Sequence, residues 1–140
     1  MKLIYTGVVH PWLCDAMGHF TTRHYVAMFD DASYRLLFEA CGFAGSIGDF
    51  EGIGWVDAKQ SYEYQAEQHA GALIEIHGAI QKLGNSSITT RYEMRNAASG
   101  ECAATHDSVS IMFDLNARKS LRIPDWARER IEKSACYSAI

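Results

Sequence analysis

An α+β domain is predicted, in which a curled, mainly antiparallel five-stranded sheet wraps a long central helix. The order of elements is β-α-β-β-β-β, with a short helix at the end. Three observations carry this reading. Apolar residues recur at helical spacing from about Thr22 to Cys41. From Val56 onward the period switches to two and persists through successive runs joined by short turns. Finally, 140 residues with 48% hydrophobic and 21% charged side chains suit one globular core, residues 1–140, without repeat or linker.

The first strand, Lys2 to Val9, is short, β-prone and stopped by His10-Pro11. A loop from Trp12 to Phe20 then leads into Thr21-Thr22. In the helix, Tyr25, Met28, Phe29, Ala32, Leu36 and Ala40 form one stripe, widened by Val26 and Leu37. Asp30, Asp31, Arg35 and Glu39 are left for the other side. Thr21 or Thr22 is placed to accept the N-cap hydrogen bond, and Gly42 stands at the C-cap. After the Gly-rich stretch from Gly42 to Gly54, Val56, Ala58, Tyr62, Tyr64 and Ala66 form an apolar side. Asp57, Lys59, Ser61, Glu63 and Gln65 lie opposite. Ala72, Ile74, Ile76, Gly78 and Ile80 repeat the alternation, as do Ile88, Thr90, Tyr92 and Met94; Ala103 to Phe113 forms the last strand. Pro124 opens a terminal helix running to Ile131. A stripe as broad as that of the long helix is buried only if the sheet curls around it.

Composition narrows the function. With 13 Lys+Arg against 17 Asp+Glu the formal charge is −4, which disfavours nucleic-acid binding, because that needs a basic face to release counterions from phosphates. No apolar run approaches the ~20 residues of a membrane helix, and no signal core opens the chain, so a cytoplasmic protein is expected. Cys14, Cys41, Cys102 and Cys136 lie too far apart for a zinc site or a redox dithiol. His69, His77 and His106 are scattered, and no metal is expected.

The densest cluster of functional side chains is Asp15-Ala16-Met17-Gly18-His19-Phe20-Thr21-Thr22-Arg23-His24-Tyr25. Here a carboxylate sits in a Gly-containing loop that runs into a helix N-terminus. Free N–H groups and a partial positive charge at that end suit a developing oxyanion. The carboxylate beside it is placed to attack a carbonyl carbon or to deprotonate a water that does so. The same residues also fit a plain helix cap and loop brace.

The stretch from Val9 to Phe20, with Tyr25 and the helix to Gly42, resembles hot-dog fold acyl-CoA thioesterases of the 4-hydroxybenzoyl-CoA thioesterase type. Tyr64-Gln65-Ala66-Glu67, Leu83-Gly84-Asn85-Ser86-Ser87 and Ile123-Pro124 fit the same pattern. The resemblance implies a hot-dog fold and hydrolysis of a small acyl-CoA to free acid and CoA, with no cofactor beyond the CoA of the substrate. It assigns Asp15 as nucleophile or general base. Gly18 permits close backbone approach, and the N–H near Thr22 polarises the thioester. His19, Thr21, Thr22, Tyr25 and Trp55 join these as substrate-binding candidates, with Asp31 and Glu39 as minor alternatives to Asp15. Two positions depart from the family pattern, Thr21 where many relatives carry Asn and Thr22 where others carry His or Tyr; a backbone N–H survives both changes. The resemblance further implies a homodimer or homotetramer with Asp15 from one chain and pocket walls from the next. A cation among Arg91, Arg95, Arg118, Lys119 and Arg122 is expected to meet a CoA phosphate. Two other readings share the fold: an acyl-CoA hydratase or dehydratase, whose Asn-Pro context is absent after Asp15, and a non-catalytic acyl-CoA-binding module. The acyl group stays open among aromatic, short aliphatic and quaternary ammonium types, the last held by cation–π attraction.

Overall fold

The computed structural model, which describes residues 1–140, is built around helix α1, Thr22–Cys41. Its buried residues are the expected stripe with Cys41 added, while Val26 stays half-buried. The helix ends as expected on Gly42, whose φ of 82° lets its N–H return to the Phe38 carbonyl. The start differs from expectation. Thr21 occupies the N-cap, but no side chain caps the helix, which leaves first-turn N–H groups free.

Five strands form the sheet: β1 (Lys2–Val8), β2 (Ile53–Tyr64), β3 (Leu73–Leu83), β4 (Ser87–Asn96) and β5 (Cys102–Asp114). They lie in the order β1-β3-β4-β5-β2, every pair antiparallel. A two-residue β6 (Lys119–Ser120) pairs with β5, too short for any alternation to reveal it. Helix α2 (Asp125–Lys133) buries Ala127 and Ile131. The sheet closes over α1, so Phe29, Leu36, Ile76, Ile80, Met94 and Met112 share one core. This is the curled α+β architecture expected. No helix is long and apolar enough to cross a membrane.

Strands β3 and β4 keep the predicted phase, with Ile74, Ile76, Ile80, Ile88, Thr90, Tyr92 and Met94 all buried. Strand β2 does not. Val56 and Ala58, expected on the apolar side, are exposed, and Trp55 is half-buried instead. The cause is a bulge: Asp57 pairs with Ser110 but Lys59 pairs with Val109, leaving Ala58 without a partner. One extra residue reverses which alternate side chains face inward. Trp55 and Asp57 therefore share the inner face with Tyr62, and Asp57 is not the outward residue that strict alternation assigns.

His106 of β5 is a core residue, 2% exposed. Its ring stacks on Tyr62 at 4.1 Å and on Tyr92 at 5.4 Å, with Nδ1 3.0 Å from the Ser61 carbonyl oxygen. Burial pushes its pKa below the ordinary 6.5.

Two outcomes follow from this packing. Below pH 6.5 the unfolded chain takes up a proton at His106 that the folded chain refuses, so stability falls as pH drops. Melting temperatures between pH 7.5 and 5 should decline less steeply in His106→Asn than in the parent chain. A Cβ on Gly78 would lie 2.8 Å from Cδ1 of the Tyr92 ring, so Gly78→Ala overpacks the core. Denaturant unfolding should show a loss of about 1–3 kcal/mol.

Candidate active site

Asp15 organises the loop that aims α1. Its Oδ1 accepts the N–H of Met17 at 2.9 Å and of His19 at 3.1 Å. The Asp15 N–H in turn donates to the His19 carbonyl, and the Gly18 N–H donates to the Asp15 carbonyl. Gly18 closes this turn at φ 80°, a left-handed conformation that suits glycine. The turn is fastened at its exit, where Phe20 N–H donates to the Gln68 carbonyl and Thr21 N–H to the Leu13 carbonyl. One oxygen of the half-buried Asp15 is thus a brace, and Oδ2 makes no hydrogen bond within the chain.

At the start of α1, the N–H groups of His24 and Tyr25 reach the Thr21 carbonyl, whereas those of Thr22 and Arg23 have no acceptor. Thr22 opens onto a cleft of about 220 Å³ walled also by His19, Tyr25, Tyr64 and Ala66. Tyr25 is 5% exposed, with its ring 4.4 Å from Phe20 and 5.2 Å from Tyr64. Of the residues expected at the site, His19, Thr22 and Tyr25 line this cleft. Asp15, Gly18 and Thr21 form the loop that leads into it and are not in its walls. Asp15 connects to the cleft through the His19 N–H that it holds.

The histidines are less scattered than their spacing suggests. A backbone bridge sets His69 against His19, with ring centroids 5.1 Å apart, and Glu67 lies 3.2 Å from His19 Nε2. Potential ligating atoms of His19, Glu67 and His69 all fall within 4.8 Å of one another, at a partly exposed position. A bridge between remote segments creates this cluster, so no spacing rule finds it.

Trp55 lies elsewhere. It lines a second cleft, of about 290 Å³, between the middle of α1 and the inner faces of β2, β4 and β5. Asp30, Tyr34, Asp57, Thr90 and Ser110 stand in the same walls. Asp57 Oδ1 accepts the Ser110 hydroxyl at 2.7 Å. Partial burial, then the charges of Asp57 and Asp31, raise the carboxyl pKa of Asp30 above its ordinary value. Alternation hid Asp57, because the bulge that turns it inward has no signature in the sequence. Neither of the alternative helix carboxylates lines either of these two clefts: Asp31 is exposed, and Glu39 forms an ion pair with Lys2 at 2.6 Å. Among the expected phosphate-binding cations, Arg91, Arg95 and Arg122 are held in ion pairs, while Arg118 and Lys119 are not.

Comparison with known proteins agrees with this architecture. The family model described as the thioesterase-like superfamily matches residues 9–131. No curated protein matches. Among solved structures, the Staphylococcus aureus hypothetical protein SAV2348, in complex with CoA, superposes with a TM-score of 0.83 at 15% identity. That match covers 94% of this chain and 82% of the other. Slr0204, a 1,4-dihydroxy-2-naphthoyl-CoA thioesterase from Synechocystis, gives 0.80 at 18% identity, covering 92% and 94%. The gentisyl-coenzyme A thioesterase BH1999 gives 0.79 at 20% identity, covering 93% and 99%. At these identities the superpositions speak for the hot-dog fold alone, whereas the family match spans most of the sequence: the chain belongs to the thioesterase-like superfamily.

Proposed function

We propose that the protein is an acyl-CoA thioesterase that hydrolyses a small acyl-CoA to the free acid and CoA. Supporting this reading are an uncapped helix end and, in the loop that leads into it, a carboxylate whose second oxygen makes no hydrogen bond within the chain. The Thr22 N–H polarises the thioester carbonyl and stabilises the oxyanion that forms as the carbon becomes tetrahedral. Asp15 Oδ2 either attacks that carbon or takes a proton from the attacking water. The C–S bond then breaks and CoA leaves as the thiol, protonated by Asp15 in the general-base route and by solvent in the nucleophile route, where a water then hydrolyses the mixed anhydride on Asp15 to release the free acid. At Gly18 a Cβ would meet nothing within 4 Å, which keeps the loop surface open to substrate. Family membership supports the chemistry, and no cofactor is required beyond the CoA of the substrate.

The working unit is proposed to be a dimer or a tetramer built from dimers. Strand β2 is a 12-residue edge with mostly exposed side chains, and Val56 on it is 44% exposed. Long free edges invite pairing, and Tyr34, Phe38 and Ile47 add exposed apolar surface. Two-fold antiparallel pairing about the midpoint of β2 sets Trp55 of one copy opposite Tyr62 of the other. The Trp55–Asp57 cleft of one chain then approaches the Thr22 cleft of the next.

Three measurements test this reading. Asp15→Asn keeps the Oδ1 acceptor and hence the loop, so melting should stay unchanged while thiol release falls about 10²–10⁴-fold; turnover within a few-fold of the parent rejects the assignment. Thr22→Pro deletes one N–H at the first helical position, where proline is tolerated, and should lower kcat about 10²–10³-fold. Light scattering should return at least twice the 15.6 kDa chain mass, and a monomer would reject the assembly.

A further inference from the structure

The chemistry assigned to Asp15 and Thr22 leaves the second cleft without a task. Its walls carry two carboxylates, Asp30 from α1 and Asp57 from β2, and no Lys, Arg or His. The chain forms six ion pairs through Lys or Arg and two His–Glu contacts, and neither carboxylate takes part in any of them. Asp57 meets only neutral donors, the Ser110 hydroxyl at 2.7 Å and the Gln60 amide at 3.4 Å. Their combined field reaches the neighbouring Tyr62, whose phenol is pushed up to about 12 by burial first and then by Asp30 and Asp57.

A separate observation points to a ligand. Thr90 Oγ1, on a residue only 2% exposed, and Trp55 Nε1 both have no hydrogen-bond partner, and both residues line this cleft. Buried polar atoms are almost always paired, so two orphans in one cleft mark where a ligand atom belongs. Aromatic rings of Trp55, Tyr34 and Tyr92 complete the walls. Ring faces and carboxylates both attract a cation and repel an anion.

We propose that this cleft is the acyl subsite and that the acyl group it takes is positively charged, a short alkylammonium acid esterified to CoA. The proposal rests on the thioesterase reading and deepens it by naming the substrate class. At about 290 Å³ the cleft has room for a short branched acyl group. The ammonium sits between Asp30, Asp57 and the rings, while the Trp55 N–H joins the Thr22 N–H of the assembled site as a second donor to the one carbonyl oxygen of the acyl group. Hydrolysis adds one water across the C–S bond, giving the zwitterionic acid and the thiol of CoA.

The test uses two esters of the same shape that differ only in the charge of one atom, trimethylammonioacetyl-CoA and 3,3-dimethylbutanoyl-CoA. Thiol release is followed for the parent chain, Asp30→Asn and Asp57→Asn. The parent should favour the charged ester by at least about tenfold in kcat/KM, and each variant should bring that ratio toward unity. Melting of the same proteins with trimethylammonioacetate or 3,3-dimethylbutanoate gives a readout independent of turnover, and only the charged acid should raise the parent Tm. Equal or better turnover of the neutral ester by the parent overturns the proposal, as does a ratio unchanged in both variants. Loss of both esters with no charge-selective melting shift overturns it too, because it assigns the carboxylates to catalysis or folding. Charge-selective melting without thiol release from any ester sustains the subsite and rejects the thioesterase reading; release from the neutral ester alone does the reverse.

Discussion

Burying one broad face of a 20-residue helix is the constraint from which the remaining structure follows. Tyr25, Met28, Phe29, Ala32, Leu36, Leu37 and Ala40 are all buried, a stripe wider around α1 than a flat sheet laid against one side can cover. The sheet therefore curls, and its inner face must supply matching apolar residues from every strand. Ile74, Ile76 and Ile80 on β3 and Ile88, Tyr92 and Met94 on β4 do so. The two ends of the curl behave differently. Lys2 of β1 pairs with Glu39 on α1, while β2 on the other edge stays largely exposed.

That exposed edge borders both clefts. The bulge between Asp57 and Lys59 turns a carboxylate toward α1 at the level of Asp30. Beyond the bulge, Tyr62 and Tyr64 face the first half of the helix, against Phe29 and Tyr25. One strand thus borders both clefts, acidic in its first half and aromatic in its second. Thr22 and Asp30 lie eight residues apart on α1, ~12 Å along its axis, so a single chain offers two separate recesses.

Legibility in the sequence tracked how local each cause is. The stripe of α1, its glycine stop and the phases of β3 and β4 depend on residues close in the chain, and periodicity alone finds them. The loop motif around Asp15 was legible for the same reason, since its Asx-type turn is made within five residues. Trp55 could be assigned to an acyl pocket, but not to a different cleft from Thr22, because that depends on the crossing of α1 over β2. Asp57 was hidden by a register shift against β5, and His69 by its bridge to His19. The cap expected from Thr21 is not made, and that departure leaves the helix end free for chemistry.

Under the proposed reading, the electrostatics of the two recesses suit one kind of substrate. The open end of α1 presents positive partial charge and unpaired N–H groups, suited to the negative oxygen of a tetrahedral intermediate. The second cleft presents two carboxylates without a counter-ion. A short acyl group with a positive tail places its own charges in that same sense, negative at the reacting oxygen and positive at the far end. Its ammonium also withdraws electrons from the carbonyl carbon, so the thioester is more open to attack. Within one chain the two recesses are set apart along the helix; a two-fold pairing of β2 brings the acidic recess of one copy toward the helix end of the other. Under the proposed reading, assembly through that edge is what makes the field continuous, and the charges of the substrate align only in the assembled site.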